Sequence, residues 1–231
     1  KVQEDGTTFA KGSVLDEKNS HHPQYDSGLC LTGKYTTVDA DDTTPLHAEK
    51  NVSRIPTKYA TITLLPVGSY TYTLNNDSSE VQQLRAGDSI TQKFEITNGS
   101  DYKTITITIN GSNDLPTLSG EVSGSVIEAS GVDNATAGTP SASGTVSISD
   151  ADAGQSSFQA PGSLTGNYGN FTFNSATGVW GYELDNSKAA TQALVAGQTV
   201  HDTLTVTSAD GTTSRVIDVT VTGGNDVASI S

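Results

Sequence analysis

Residue types that lock or anchor a fold are scarce in this sequence, which contains one cysteine, one tryptophan and no methionine in 231 residues. Cys30 is alone, so no disulfide can form within one chain, and packing or bound metal must hold the fold together. Positive charge is also scarce, since 12 Lys and Arg stand against 26 Asp and Glu for a formal net charge of −14. This balance argues against nucleic acid and anionic membrane surfaces as partners.

Long apolar stretches are absent too, because no run approaches the roughly 18 residues that a membrane-spanning helix needs. We therefore expect no membrane insertion. No signal peptide is visible, and a chain that begins at Lys1 without methionine is expected to be a fragment of a longer protein. Apolar residues make up 33% of the sequence. They recur at period two between turn signals, which favours polar-surfaced β-sandwiches over disorder.

A short sequence motif, which we call the exit phrase, occurs twice, each time at the end of a run of alternating apolar and polar residues. Residues Ile105–Pro116 read ITITINGSNDLP and residues Ile217–Ala228 read IDVTVTGGNDVA, with the two Asn-Asp pairs 112 residues apart. Self-similarity at a fixed period indicates tandem copies of one structural unit. The sequence thus predicts two domains, residues 1–114 and residues 115–231.

The strand pattern within each copy predicts an all-β fold. Trp180, Tyr182 and Leu184 alternate in the second copy as Tyr70, Tyr72 and Leu74 do in the first. Val200–Thr207 and Ser214–Thr222 flank an Asp-Gly turn, a strong hairpin signal, and Ala189–Ala196 is the one helical candidate. Short strands at this spacing predict two tandem antiparallel β-sandwiches of immunoglobulin or cadherin type, joined by a short linker.

The two copies differ in one place. Between Glu4 and Asp39 lie 34 residues, whereas 21 separate Glu128 from Asp150. The additional residues fall around 16–34, where His21, His22 and Cys30 occur without β periodicity. We interpret this segment as an elaborated loop of the first domain.

Acidic residues recur at matched positions of both copies and suggest a cation site. Ca²⁺ takes about six to eight oxygen ligands, more than one short loop supplies, so a domain junction is a natural place for it. If the chain enters each sandwich at one pole and leaves at the other, Glu128 and the Asp150-Ala151-Asp152 loop lie at the entry pole of the second domain. They would then face the linker residues Asn113 and Asp114.

The Asp-Ala-Asp triplet, the exit phrase and the run from Phe171 to Ser214 resemble a VCBS-type repeat. These cadherin-like domains occur in large bacterial surface adhesins of the RTX type, which are secreted by type I systems. The resemblance covers residues 117–228 and, in the first copy, 59–116. It implies calcium at the linkers, an extracellular location on the bacterial surface, and a rigid array that holds a distal ligand-binding region away from the cell in adhesion and biofilm formation.

The resemblance extends to the ligand set and the partners. It implies a complete inter-domain calcium site and incomplete sites at the two ends of the chain. The complete site would comprise Asn113, Asp114, Glu128, Asp150 and Asp152, and the incomplete end sites Glu4, Asp39, Asp41, Asn225 and Asp226. Asp77 and Glu80, in the region of the first copy that matches residues 186–191, are further candidates that would face the same linker. We expect a monomer whose partners are neighbouring repeats, with host-surface or biofilm ligands bound mainly elsewhere in the full protein.

Other interpretations stay open. An adhesive or carbohydrate-binding module would carry its ligand site on the irregular loop, since binding residues often lie on loops over a rigid scaffold. His21, His22 and Cys30 lack the paired spacing of a zinc site, and Trp180 is better explained as core than as a sugar platform. A hydrolase would depend on His201-Asp202 alone, and no G-x-S-x-G elbow accompanies it. We therefore expect no enzyme.

Overall fold

A computed structural model describes residues 1–13, 32–34, 36–37, 45–47, 53–64, 69–97 and 102–226. The chain divides into two compact units, Lys1–Asp114 and Leu115–Ser231. Both are built almost wholly from β-strands, which confirms the predicted all-β class. Across the described ranges, no helix is long and apolar enough to span a membrane.

Unit 1 contains two four-stranded sheets and a small two-stranded one. The sheets have the strand orders β1-β10-β9-β4, β2-β8-β7-β6 and β3-β5. The elements are β1 Val2–Gln3, β2 Phe9–Ser13, β3 Thr32–Lys34, β4 Thr36–Thr37, β5 Pro45–His47, β6 Ser53–Pro56, β7 Ala60–Leu64, β8 Ser69–Leu74, α1 Ser79–Gln82, β9 Ser89–Thr97 and β10 Tyr102–Asn110.

Unit 2 has two sheets, one of three strands and one of four. Its sheets have the orders β12-β17-β16 and β11-β13-β15-β14. The elements are β11 Thr117–Gly120, β12 Ser123–Ile127, a 3-10 turn Val132–Asn134, β13 Ser141–Ser149, β14 Gly169–Phe173, β15 Val179–Leu184, α2 Ala189–Gln192, β16 Thr199–Thr207 and β17 Ser214–Thr222.

In both units the core is formed by apolar side chains that alternate with polar ones along the strands. In β10, Ile105, Ile107 and Ile109 are buried, while the intervening threonines point away from the core. In β15, Trp180, Tyr182 and Leu184 belong to the core of unit 2. This confirms that Trp180 is a core residue, with 1% of its surface exposed. Gly144 makes room for it, because a Cβ there would lie 2.9 Å from the indole Nε1.

The predicted elements of the second copy agree with the structure, apart from the helix. The hairpin strands β16 and β17 lie where alternation placed them, but α2 covers only Ala189–Gln192 of the expected Ala189–Ala196. The chain turns after Gln192 and reaches Gly197 at φ +77°, a conformation that favours glycine. Most of the elaborated loop around 16–34 lies outside the described residues.

Strand direction fixes the two ends of unit 2. The strand β12 pairs in parallel with β17, Ile127 opposite Thr222, and both finish at what we call the exit end. Thr139, just before β13, bridges Ile127 there. The strand β13 then runs to Ser149, which pairs with Thr117 at the entry end. Unit 1 has the same parallel pairing of first and last strands, β1 with β10, so its exit end is defined in the same way.

Candidate metal sites at the ends of the units

The exit end of unit 2 is built around a buried carboxylate. Glu128 follows β12 directly and is 1% exposed. Its Oε2 accepts a hydrogen bond from the Gly224 amide at 2.9 Å, and its Oε1 accepts one from Gln192 at 3.4 Å. Burial raises the pKa of Glu128 above its usual range, and the negative charge of Asp226 adds to the shift. Glu128 and the Asn225-Asp226 phrase therefore lie together at the exit of their own unit.

The exit end of unit 1 has the same construction. Glu4 follows β1, is 1% exposed, and accepts a hydrogen bond from the Ser112 amide at 3.0 Å through its Oε2. Ser112 precedes Asn113-Asp114 as Gly224 precedes Asn225-Asp226. The two copies thus share a buried strand-end glutamate bonded to the residue just before the exit Asn-Asp pair.

Asp5 is a further acidic residue at this end, and the sequence analysis missed it. Asn76 donates a hydrogen bond to Asp5 Oδ1 at 2.6 Å, and the Asp5 amide donates to Asn76 Oδ1 at 3.1 Å. The bond from Asn76 is the main reason that the pKa of Asp5 lies below its usual range, and Gln82 and Asp114 also contribute. Unit 2 has Ala129 at the corresponding position, so only unit 1 carries this additional carboxylate.

The Asp150-Ala151-Asp152 triplet forms a tight loop at the entry end of unit 2. Asp150 Oδ1 accepts a hydrogen bond from the Asp152 amide at 3.0 Å, and Ser156 closes the loop by accepting from the Asp150 amide at 3.2 Å. Asp152 is 2% exposed. The second carboxylate oxygen of Asp150 and the side-chain oxygen of Gln155 are buried and accept no hydrogen bond within the described residues. Buried oxygens without donors are unusual unless a cation or water completes them.

The predicted grouping of Glu128 with Asp150 and Asp152 at one pole is wrong. Glu128 lies at the exit end, whereas Asp150 follows Ser149 at the entry end. The nine-residue strand β13 separates the two ends, a span of about 25 Å at 3.3 Å per residue. One ion cannot bind both groups within one unit.

The remaining candidates are placed as follows. Asp77 is exposed and Glu80 half-buried, in the segment that also holds Asn76 and Gln82. Asp39 and Asp41 lie outside the described residues, as do His21, His22 and Cys30. The side chains of His201 and Asp202 have different partners: His201 is half-exposed and pairs with Asp218 at 2.7 Å, while Asp202 is buried and bonded to the amides of residues 167–169.

The donor chemistry fits calcium better than a softer metal. The two exit ends and the entry loop offer carboxylate and amide oxygens, the ligands that Ca²⁺ prefers. The described part of the chain contains no group of three His, Cys, Asp or Glu residues placed to hold a metal ion. Each exit end, or the entry loop, therefore supplies too few acidic side chains to bind calcium alone. The ligand role of these residues stays a prediction.

The raised pKa of Glu128 predicts a pH dependence in calcium-free buffer. A carboxyl whose pKa is higher in the folded than in the unfolded state favours folding when it is protonated. The free energy of unfolding of unit 2 should therefore fall as pH rises from the ordinary glutamate pKa of about 4.3 through the raised value. Glu128→Gln should abolish this fall, as measured by urea unfolding followed by Trp180 fluorescence.

Glu183 provides the matched control, since it is an exposed glutamate on β15 of the same unit. Glu183→Gln should leave the pH dependence of wild type intact. A Glu128→Gln variant with the wild-type slope would show that another group causes the dependence.

No family model matches the chain, and no curated protein matches it. Solved structures do resemble it: protocadherin gammaB7 EC3-6, in a cis-dimer structure, has a TM-score of 0.43 at 20% identity, covering 85% of this chain and 45% of that one. Mouse clustered PcdhgC3 EC1-3 has a TM-score of 0.38 at 16% identity, covering 70% and 50%. A structure of three titin Ig domains has 0.30 at 10%, covering 83% and 54%. The chain thus spans about half the length of these structures, and a likeness at this level supports no argument about function.

Proposed function

We propose that the two units are extender repeats of an extracellular bacterial adhesin, in which calcium binds at the ends of the units and stiffens the chain. The observation that carries the proposal is the repeated exit end. Glu4 and Glu128 are both almost fully buried, and each accepts a hydrogen bond from the residue before an Asn-Asp pair. Burying a carboxylate twice at one position is costly unless the charge is compensated, and a bound cation compensates it.

The ligand set that we propose differs from the predicted one in a single residue. Glu4 takes the place of Glu128, because Glu4 lies beside the Asn113-Asp114 phrase of its own unit. Asp150 and Asp152 complete the set from the entry loop of unit 2, whose first strand begins three residues after Asp114. Asp5, held close to Asp114, is an additional candidate. Glu128, Asn225 and Asp226 form the corresponding exit set of unit 2.

Bound calcium would compensate the negative charge of its carboxylate ligands and would be coordinated by several of them at once. It would take no part in a chemical reaction. In the proposed site, the carboxylates of Asp114, Asp150 and Asp152 would repel one another without a cation, so a linker without calcium should bend freely. A stiffened linker would let such an array hold a distal ligand-binding region away from the cell. The VCBS-type exit phrases and the acidic composition support the bacterial-surface assignment.

Adding calcium should stabilise the chain. At a free concentration of 100 times Kd, the expected gain is about 2.7 kcal/mol, or a rise in melting temperature of roughly 5–15 °C for units of this size. Thermal melts followed by circular dichroism, with small-angle scattering for the maximum dimension, measure both stability and stiffness.

Magnesium and potassium chloride at matched ionic strength are the controls, because a chain of charge −14 gains some stability from screening alone. Calcium should act beyond both. Equal effects of all three salts, or melting and dimensions that do not respond to millimolar calcium, would contradict the proposal.

A further inference from the structure

The edge strand β16 of unit 2 has unusual freedom to pair. Its register with β17, together with the bonds Gly223 N–H to Gln198 O and Ser208 N–H to Thr213 O, shows that even-numbered residues bond to β17. In an antiparallel ladder the alternate residues direct their amide and carbonyl groups the other way. His201, Thr203 and Thr205 therefore present theirs at the sheet edge, and all three residues are exposed.

Several other sheet edges in the described residues are protected. Short length, a charged residue or proline discourages a further strand from pairing at an edge. The strand β6 has four residues and includes Arg54 and Pro56, and β2 has five and includes Lys11. The strand β11 has four residues, and β14 is bonded at Phe171 to the carbonyl of Leu164. By contrast, β16 has nine residues and no lysine, arginine or proline.

Unit 1 shows that this edge accepts a strand. There β4 pairs antiparallel with β9, Thr36 opposite Lys93 and Thr37 opposite Gln92. Lys93 and Gln92 correspond to Thr203 and Asp202 of unit 2. In unit 2 the Gln159 amide bonds to the Thr207 carbonyl, and no described strand continues along β16 from there. The position that β4 fills in unit 1 is thus open beside Thr203.

We propose that β16 pairs antiparallel with β16 of a second copy of this chain, as a two-fold symmetric contact. A two-fold interface requires a self-complementary surface. Centring the pair on Thr203 places Thr203 opposite its counterpart and Thr205 opposite His201. No like charges then face each other across the contact, because the Asp202 side chain points into the core.

The strength of the contact follows from its size. Three outward residues on each strand give about six backbone hydrogen bonds. A contact this small lies at the weak, transient end of protein interfaces, so a dissociation constant in the submillimolar to millimolar range is expected. The chain would then be a monomer when dilute and a reversible dimer when concentrated, for instance in a dense surface array. The contact involves none of the proposed calcium ligands.

Sedimentation equilibrium of the full chain over a concentration series tests the proposal. The average mass should rise above the 23.9 kDa of the monomer as concentration increases. Thr203→Pro should abolish the rise, since it removes an outward amide while the ladder with β17 keeps its bonds. Thr203→Lys should also abolish it, because two lysines would face each other on the axis.

Thr203→Val is the matched control, since it keeps the backbone groups and should dimerise as wild type does. Circular dichroism verifies that each variant is folded. Hydrogen exchange adds an independent measurement, in which the Thr203 and Thr205 amides should exchange more slowly at high concentration. A chain that stays monomeric up to millimolar concentration, or a folded Thr203→Pro variant that dimerises like wild type, would overturn the proposal.

Discussion

Replacing Asp202 by alanine should destabilise unit 2 by about 3–5 kcal/mol, because it leaves several buried hydrogen-bond donors without an acceptor. Asp202 is 2% exposed in the core face of β16. Its carboxylate accepts hydrogen bonds from the amides of Asn167, Tyr168 and Gly169 at 2.8–3.1 Å and from the Tyr182 hydroxyl at 2.7 Å. Alanine would leave these four donors without their acceptor.

The effect should be specific to unit 2, because the corresponding residue of unit 1 is neutral. Gln92 is fully buried and accepts from the Tyr72 hydroxyl, 20 residues upstream, as Asp202 does from Tyr182. Burial is the main reason that the pKa of Tyr182 is raised, and the hydrogen bond to Asp202 raises it further. The tyrosine therefore remains a hydrogen-bond donor. In unit 2 the carboxylate of Asp202 at this position also holds residues 167–169 by accepting hydrogen bonds from their amides.

Trp180 makes the measurement selective. It is the single tryptophan and lies in the core of unit 2, so its fluorescence during urea unfolding reports that unit. Asp218→Asn is the control, since Asp218 forms a half-exposed pair with His201 and such pairs contribute about 0.2–1 kcal/mol. An Asp202→Ala loss no larger than that of Asp218→Asn would show that the network contributes little to stability.

Periodicity sufficed to predict the sheets and the core. Alternation placed Trp180 and Tyr182 inside, and the Asp-Gly turn fixed the register of β16 with β17, because adjacent strands joined by a short turn leave little choice of pairing. The same alternation places Asp202 on the core face, between Val200 and Leu204. The signal for this buried network in the sequence is a polar residue at the same inward position in both copies, Gln92 and Asp202.

The ends of the units were harder to predict, because they depend on non-local pairing. Period-two patterns give the faces of a strand and not its direction. In unit 2 the chain passes from β11 in one sheet to β12 in the other, and β12 then runs parallel to the last strand. Glu128 is thereby carried to the exit end. Nothing in the local sequence around Glu128 encodes this crossing. In unit 1, the buried Glu4 follows a strand with the same parallel pairing to the last strand.

The proposed calcium sites predict unequal roles for the two glutamates. In the proposal, the Asp150-Ala151-Asp152 loop belongs to the ligand set that contains Glu4. Calcium needs six to eight oxygens, so this second group of ligands would make the set with Glu4 the stronger site. Stabilisation by calcium should therefore depend on Glu4 much more than on Glu128.

Glu4→Gln should remove most of the stabilisation by calcium, which reaches about 4 kcal/mol when the free ion exceeds Kd a thousandfold. Glu128→Gln should leave most of it in place, since glutamine keeps the shape of the side chain and the exit set of unit 2 contributes little here. Calorimetric titration, together with melting temperatures in calcium and in chelator, measures both variants against wild type. A larger loss in Glu128→Gln would show that the stabilising ion binds at the exit set of unit 2, and equal small losses would mean that the buried glutamates bind no calcium. Asp150→Asn with Asp152→Asn should match Glu4→Gln, because both variants remove ligands of the same proposed ions.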